Sequence, residues 1–389
     1  MNELPRTAEV LIIGGGVIGL AVARSLALRG LRDVLLIERA GLGTESSFAA
    51  AGMLAPQAEA DGDDDFFHLA CRSRDMYPAF AAALRNETGI DIELETTGTL
   101  YLAFTEEDVH DVDKRYEWQV KAGLAIEKLG PAEAENLEPS IAPGVRAVLK
   151  FPLDMQVENR RLISALAAAN EILGVPLAIE TSVRSVQIDR GRVAGVETSR
   201  GFVSTDNVVI AGGAWSSLLR VSHHKDQLPQ DKGFCNLRIE PVRGQMLSFD
   251  ARPPIARHVV YSPRGYIVPR NDGRLLAGTT TEHVGFDKRT TDEGLGSIFS
   301  AAKEIAPAVA SLRVTASWAG LRPRAPDSLP VLGPCAEIEG VFYATGHYRN
   351  GILLAPVTGE LIAGAIVDHV VGPPLNSFSP DRFGLVSAN

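Results

Sequence analysis

Cysteine is scarce in this chain, with three in 389 residues: Cys71, Cys235 and Cys335. The number is odd, the spacing is wide and no C-x-x-C pair occurs, so neither a disulfide framework nor a zinc site is expected, and a reducing, cytoplasmic setting fits. Excess positive charge is also lacking. Lys plus Arg number 38 against 48 Asp plus Glu, a net charge of −10, which argues against a nucleic-acid or anionic-membrane partner. No long hydrophobic run is present. The longest apolar stretch, Val10 to Ala23, is short for a bilayer and full of glycine, and Met1 to Arg6 carries no basic n-region; no membrane span or targeting segment is expected. The histidines, His223-His224 included, show no metal-ligand spacing, and no Ser-His-Asp or paired-carboxylate constellation can be assembled. No metal is expected.

What remains is a globular composition, 45% hydrophobic and 22% charged with 37 Gly and 23 Pro, long enough for two intertwined domains with a sizeable core. Glu9 to Ile13 is a continuous apolar run meeting Gly14. Val17 to Leu28 then carries apolar residues at helical spacing, and Val34 to Ile37 is a second β-branched run ending at Glu38. Together they predict a βαβ unit. From 41 to 56 the chain turns small and polar, which suits close packing beside a flat ligand better than another βα repeat. Glu59 to Asp65 holds five acids in seven positions and reads as a solvated loop without function.

Further along, Phe66 to Leu84 and Asn159 to Leu173 predict amphipathic helices. Val183 to Thr198 predicts a hairpin turning at 189–192, and Val208 to Ala211 a buried strand leading through Gly212-Gly213 into a second strand-to-helix turn at Trp215-Ser216-Ser217-Leu218. Arg238 to Gly278 alternates as an antiparallel sheet would, with one helix over Asp292 to Ile305. Val341 to Thr345 is a last strand, followed by a helix from Ile352 to Val370 with Pro356 in its first turn. The fold class expected is α/β plus α+β: a doubly wound Rossmann-type domain with an antiparallel-sheet substrate domain.

The sharpest motif is Gly14-x-Gly16-x-x-Gly19, which follows a predicted strand, opens a helix and precedes Glu38 by nineteen residues counted from Gly19. In that context it is a dinucleotide fingerprint: the glycines permit a tight turn and close approach to a pyrophosphate at the helix N-terminus, and the carboxylate accepts from ribose hydroxyls. NAD and FAD share it, so the motif alone does not choose.

Other segments carry a resemblance. Glu38-Arg39, Ser46-Ser47, Ala51-Gly52-Met53-Leu54-Ala55-Pro56, Thr181-Ser182-Val183, Val208 to Trp215, Tyr266-Ile267-Val268-Pro269-Arg270, Trp318-Ala319-Gly320-Leu321-Arg322-Pro323 and Gly346 to Pro356 resemble the flavoprotein amine oxidases of the D-amino-acid oxidase family, its glycine-oxidising members most of all. The match spans nearly the whole chain. It implies FAD as cofactor, with Gly14, Gly16, Gly19, Val17, Ile18, Glu38, Arg39, Ser46, Ser47, Ala51, Gly52, Met53 and Val183 holding it. The same list extends to Gly346, His347, Tyr348, Arg349, Asn350, Gly351, Ile352 and Leu353, where a helix N-terminus aimed at the flavin would stabilise the negative charge of the reduced ring. His347 reads as structural and not catalytic.

The resemblance further implies Arg322 as the anchor for a substrate carboxylate, its guanidinium presented stiffly among Pro323, Pro326 and Pro330 and matching a carboxylate bidentately. Tyr266 is either a contact of that carboxylate or an ordinary strand tyrosine, and Arg349 is a second candidate. Sarcosine oxidases tether their flavin through a cysteine near the segment aligned with Gly320-Leu321-Arg322; none stands here, so noncovalent FAD is expected.

The implied reaction is oxidation of glycine or another small amino acid to an imine, then glyoxylate and ammonia, with hydrogen peroxide from oxygen and a role in thiazole synthesis for thiamine. A broader D-amino-acid oxidase or dehydrogenase, an NAD-linked dehydrogenase and a non-catalytic flavin-binding protein are the alternatives; self-assembly into a homo-oligomer is left open. The expected division is 1–85, 145–225 and 315–375 for the FAD-binding domain, and 86–144 and 226–314 for the substrate domain.

Overall fold

The structure, a computed structural model, describes residues 3–223 and 237–383; Cys235 and His224 lie outside the described residues. A six-stranded sheet runs in the order Val331–Pro334, Val341–Thr345, Asn207–Ile210, Val10–Ile13, Val34–Ile37 and Leu177–Ala178. All neighbours are parallel except the first pair. The two strands of the predicted βαβ unit are wholly buried because the sheet is covered on both faces, as parallel sheets are. Val10 and Ile12 point into one core with the helices Val17–Leu28, Asn159–Ile172 and Ala355–Val367, while Leu11 and Ile13 point into another beneath the hairpin sheet. That second sheet holds Val183–Asp189 paired antiparallel with Arg192–Thr198, the predicted hairpin, flanked by Gly201–Ser204 and Arg220–His223.

An eight-stranded sheet forms the other layer, in the order Arg313–Arg324, Glu240–Asp250, Arg274–Gly278, Gly265–Pro269, Val259–Ser262, Thr99–Ala103, Ala147–Phe151 and Glu127–Leu129. Its one parallel pair joins Val259–Ser262 to Thr99–Ala103. The helix Asp292–Ile305 packs on it through Ile298, Ala302 and Ile305. This sheet crosses the expected domain boundaries at 145 and 315. Ala147–Phe151 and all of Arg313–Arg324 beyond its first two residues lie on the FAD-binding side of those limits, yet both strands pair into the antiparallel sheet, because ladder partners far away in sequence decide where a strand lies.

Three elements differ from the sequence reading in their extent. The first long helix runs from Asp65 to Thr88: Asp64 caps it by accepting from the Phe67 N–H at 2.7 Å, and Gly89 ends it at φ 74°. Part of the acidic run is therefore a helix start, where carboxylates answer unpaired N–H groups. Residues 213–218 form a 3₁₀ helix. The last helix starts at Ala355, not Ile352, with Pro356 in its first turn.

Candidate active site

Between the six- and eight-stranded sheets lies a cavity of about 370 Å³, within the range of small-molecule and cofactor sites. At one end the Gly14–Gly16 turn joins the strand Val10–Ile13 to its helix. Gly14 sits at φ 116°, and a Cβ there would lie 2.4 Å from the Ala211 carbonyl oxygen, so only glycine fits. The first-turn N–H groups of the helix have no partners within it. That of Val17 donates to Ser47 Oγ at 3.0 Å. Glu38 folds back under the turn, its two oxygens accepting from Gly15 N–H at 2.7 Å and Ala40 N–H at 2.9 Å; each keeps a lone pair for a further donor. Arg39 lies 3.9 Å above the ring of Trp215 and pairs with Glu45 at 2.8 Å.

The middle of the cavity is lined by Ser46–Met53, a stretch held from outside. Ser46 Oγ donates to the Leu321 carbonyl, Asn159 Nδ2 to the carbonyls of Ser47 and Phe48, and Trp318 Nε1 to that of Ala49. Gly52 has φ 71°, and a Cβ on it would overlap the Val157 carbonyl oxygen at 2.0 Å. Val183 lines the same wall with Thr181 and Ser182.

The far end carries the charged groups. Arg322 stands on the strand Arg313–Arg324 opposite Val242, so its stiffness comes from strand pairing more than from the neighbouring prolines. Nη1 donates to the Thr280 carbonyl at 3.1 Å and Nη2 to Thr279 Oγ1 at 2.7 Å. The guanidinium lies across Gly244, where a Cβ would come within 2.2 Å of both terminal nitrogens. Burial lowers the Arg322 pKa, with Tyr266 partly opposing the shift.

Tyr266 is buried at 5% exposure, its hydroxyl 3.4 Å from Met246 Sδ. Burial raises its pKa despite Arg322 and Arg349 nearby, so the phenol stays protonated at neutral pH. Its ring leans on Tyr261 at 5.3 Å, and the Tyr261 hydroxyl donates to Glu59 Oε1 at 2.6 Å.

Arg349 follows Tyr348, whose N–H donates to the Pro323 carbonyl at 2.8 Å at a positive φ of 47°. This bond stitches the loop to the strand of Arg322, and Arg349 lines the cavity with it. Desolvation would lower the Arg349 pKa, but Glu59 and Tyr261, Tyr266 and Tyr348 outweigh it and hold the guanidinium above its ordinary value.

Every expected site residue lines this cavity except Gly19, Gly346 and Leu353. Gly19 is a packing glycine: a Cβ would fall 1.9 Å from the Gly14 carbonyl oxygen, so it sets the helix close to the strand. A Cβ on Gly346 would face Val331 and Ala325. Leu353 is buried in the core, its carbonyl accepting from Ser73 Oγ at 2.6 Å. The donors at this edge belong to a turn ahead of the helix: Tyr77 and Ser73 hold the carbonyls of Ile352 and Leu353, while no described residue accepts from the N–H groups of Gly351 and Ile352. His347 is buried, 3.0 Å from Thr358 Oγ1. Burial pulls its pKa down to about 3, so it is a neutral structural group.

Glu59, Trp215, Gly244 and Met246 also line the cavity, though the sequence alone gives none of them a site role. Glu59 had been set aside with its acidic neighbours. It lies on the short helix Pro56–Glu59, which is tied down by Asp154 beneath the N–H groups of Gln57 and Ala58 and by Arg115 on the carbonyl of Ala58 at 3.0 Å. Among the described residues no helix is long and apolar enough to cross a membrane.

The profile of the FAD dependent oxidoreductase (DAO) family matches residues 9–365. A glycine oxidase of Pseudomonas aeruginosa is 37% identical over 91% of this chain and 93% of its own length. The crystal structure of glycine oxidase from Geobacillus kaustophilus superposes with a TM-score of 0.89 at 35% identity, covering 96% of this chain and 98% of that one. A bifunctional protein ThiO/ThiG of Synechocystis sp. is 34% identical over 97% of this chain and 54% of its own length.

Proposed function

The chain belongs to the FAD dependent oxidoreductase family, is an FAD-dependent amine oxidoreductase, and on that premise we propose that its substrate is glycine or another similarly small amino acid. The residues present fit FAD. The Gly14 turn and its helix N-terminus would receive the pyrophosphate, Glu38 the ribose, and the wall from Ser46 to Met53 together with the Gly351–Ile352 amides the ring. We take the six-stranded sheet as the FAD-binding part and the eight-stranded sheet as the substrate part. Neither Cys71 nor Cys335 lines the cavity, which supports a noncovalent cofactor.

Bound FAD supplies the acceptor for two electrons from the amine; the rest falls to the protein. Arg322 carries the reading, being a guanidinium fixed by Thr279, Thr280 and strand pairing at the end of the cavity opposite the glycine turn. It would take the substrate carboxylate in a two-pronged grip. The protonated Tyr266 hydroxyl would donate to the same group, and Arg349, kept charged by Glu59, gives this end the positive balance that an anionic substrate needs. So held, the amino acid presents its Cα hydrogen to the ring. Loss of that hydride and of an amine proton leaves an imine, which water hydrolyses to glyoxylate and ammonia. Oxygen as final acceptor would return hydrogen peroxide. The likeness to a ThiO/ThiG protein supports delivery of the product to thiazole synthesis for thiamine.

A substrate panel on the purified enzyme tests this reading. Glycine should give glyoxylate, ammonia and peroxide in equal amounts and turn over faster than D-amino acids with branched or aromatic side chains; faster turnover of the large substrates would replace it with the broader oxidase.

A further inference from the structure

Arg270 lies outside the cavity lining, yet it is an arginine buried to 7% exposure directly behind the cavity wall. Nη2 donates to the Ala51 carbonyl at 2.6 Å, and Nη1 to the Val157 carbonyl at 2.8 Å and Gln156 Oε1 at 3.1 Å. Nε has no hydrogen-bond partner, and the nearest carboxylate, Glu158, stays 3.9 Å away while it also pairs with Arg274. Nη2 also reaches Asn159 Oδ1 at 3.5 Å, so the positive charge is spent on neutral oxygens, the two shortest bonds going to backbone carbonyls. Desolvation draws its pKa down to about 10, which leaves it charged at neutral pH.

The consequence follows from peptide geometry. The Ala51–Gly52 bond is not among the cis peptides, and in a trans peptide the C=O and the following N–H point in opposite directions. With the Ala51 carbonyl turned back to Arg270, the Gly52 N–H faces forward, and no described residue accepts from it. The next peptide is held as well, the Gly52 carbonyl accepting from the Val157 N–H at 2.9 Å, and turning the Ala51–Gly52 plane over would cost the bond to Arg270. Ala51 and Gly52 line the middle of the cavity, and Ala51 packs in the same cluster as Met246, Tyr261 and Tyr266, so this N–H lies on the wall that faces toward the substrate end.

We propose that Arg270 is a positioning residue that aims the Gly52 N–H into the cavity as a hydrogen-bond donor to the FAD ring, favouring the more electron-rich reduced form. The assignment of this wall to the ring rests on the site reading given above; the test uses no amine, so it stands or falls apart from the substrate. A donor polarised by a nearby cation binds an electron-rich acceptor more strongly than a neutral one.

The experiment measures FAD affinity and the two-electron potential of the bound cofactor in three holoproteins: Arg270→Met, Arg270→Lys, and a backbone ester in which glycolic acid replaces Gly52, removing its N–H while the Arg270 side chain stays. Arg270→Met should lose about tenfold in preference for the reduced cofactor, a fall of about 30 mV for a two-electron couple, with Arg270→Lys recovering part of it. The ester should reproduce the fall with Arg270 in place. A purely structural clamp would lower the melting temperature and leave the potential unmoved, and an unchanged potential in the ester protein overturns the proposal. Should Arg270→Met fail to fold, the ester protein alone decides.

Discussion

Removing the Arg322 guanidinium should cripple the enzyme toward glycine, and the structure sets the size of the effect. Each terminal nitrogen already donates one hydrogen bond, to Thr280 and Thr279, so the fork is fixed before substrate arrives. Gly244 beneath it, where any side chain would collide with the guanidinium, lets the plane lie flat against the neighbouring strand. A carboxylate gripped there is paired in a water-poor setting. Arg322→Ala leaves it unpaired, at a cost on the order of 3 to 5 kcal/mol, which corresponds to about two to four decades in kcat/KM. Arg322→Lys keeps a charge and loses the fork, so it should recover only part of the loss, and amines without a carboxylate should be affected far less by either change. The assay is steady-state kinetics on variants with equal flavin content. A fall below tenfold with glycine for Arg322→Ala would refute the reasoning and point to Arg349 as the anchor.

Two further outcomes are expected. Glu38→Gln should weaken FAD retention through dialysis by about one to two decades in affinity, from roughly 1.5 to 3 kcal/mol of lost hydrogen bonding to ribose, while circular dichroism stays unchanged; equal retention would remove Glu38 from the nucleotide site. His347 is buried and neutral, with a folded pKa near 3 against 6.5 in the open chain, so the unfolded state binds the extra proton first as pH falls. Its contribution is complete above pH 6.5 and drains away toward pH 3, at up to about 1.4 kcal/mol per pH unit. Denaturant titrations should show a shallower acid loss for His347→Gln, and parallel curves would contradict the assigned burial.

Local pattern made the fold at the glycine-turn end legible. Val10–Ile13, the Gly14 turn, the helix to Leu28 and Val34–Ile37 are neighbours in sequence as well as in space, and the glycine spacing carries its own geometric reason. The hairpin at 183–198 was readable on the same ground. The Arg322 end was read through resemblance, since Tyr266, Arg322 and Arg349 meet at one cavity only when three distant segments converge. Glu59 was missed because five acids in seven positions look solvated; what draws it inward is Asp154, Arg115 and Tyr261, none of them near it in the chain. The donor edge at 351–352 was attributed to a helix N-terminus because apolar spacing continues past Ile352, yet the Ser73 and Tyr77 hydroxyls capture the carbonyls there and shape a turn. Arg270 stands within a family motif without an assigned role, since its two closest partners are backbone carbonyls and leave no trace in side-chain pattern.

The most direct test of the whole account is to add glycine to the purified, FAD-loaded protein under anaerobic conditions and follow the visible flavin band. The account predicts that the yellow absorbance bleaches at saturating glycine, that glyoxylate and ammonia appear in amounts equal to the flavin, and that the colour returns with one equivalent of peroxide on admitting oxygen. A flavin band that stays unchanged under saturating glycine would contradict it.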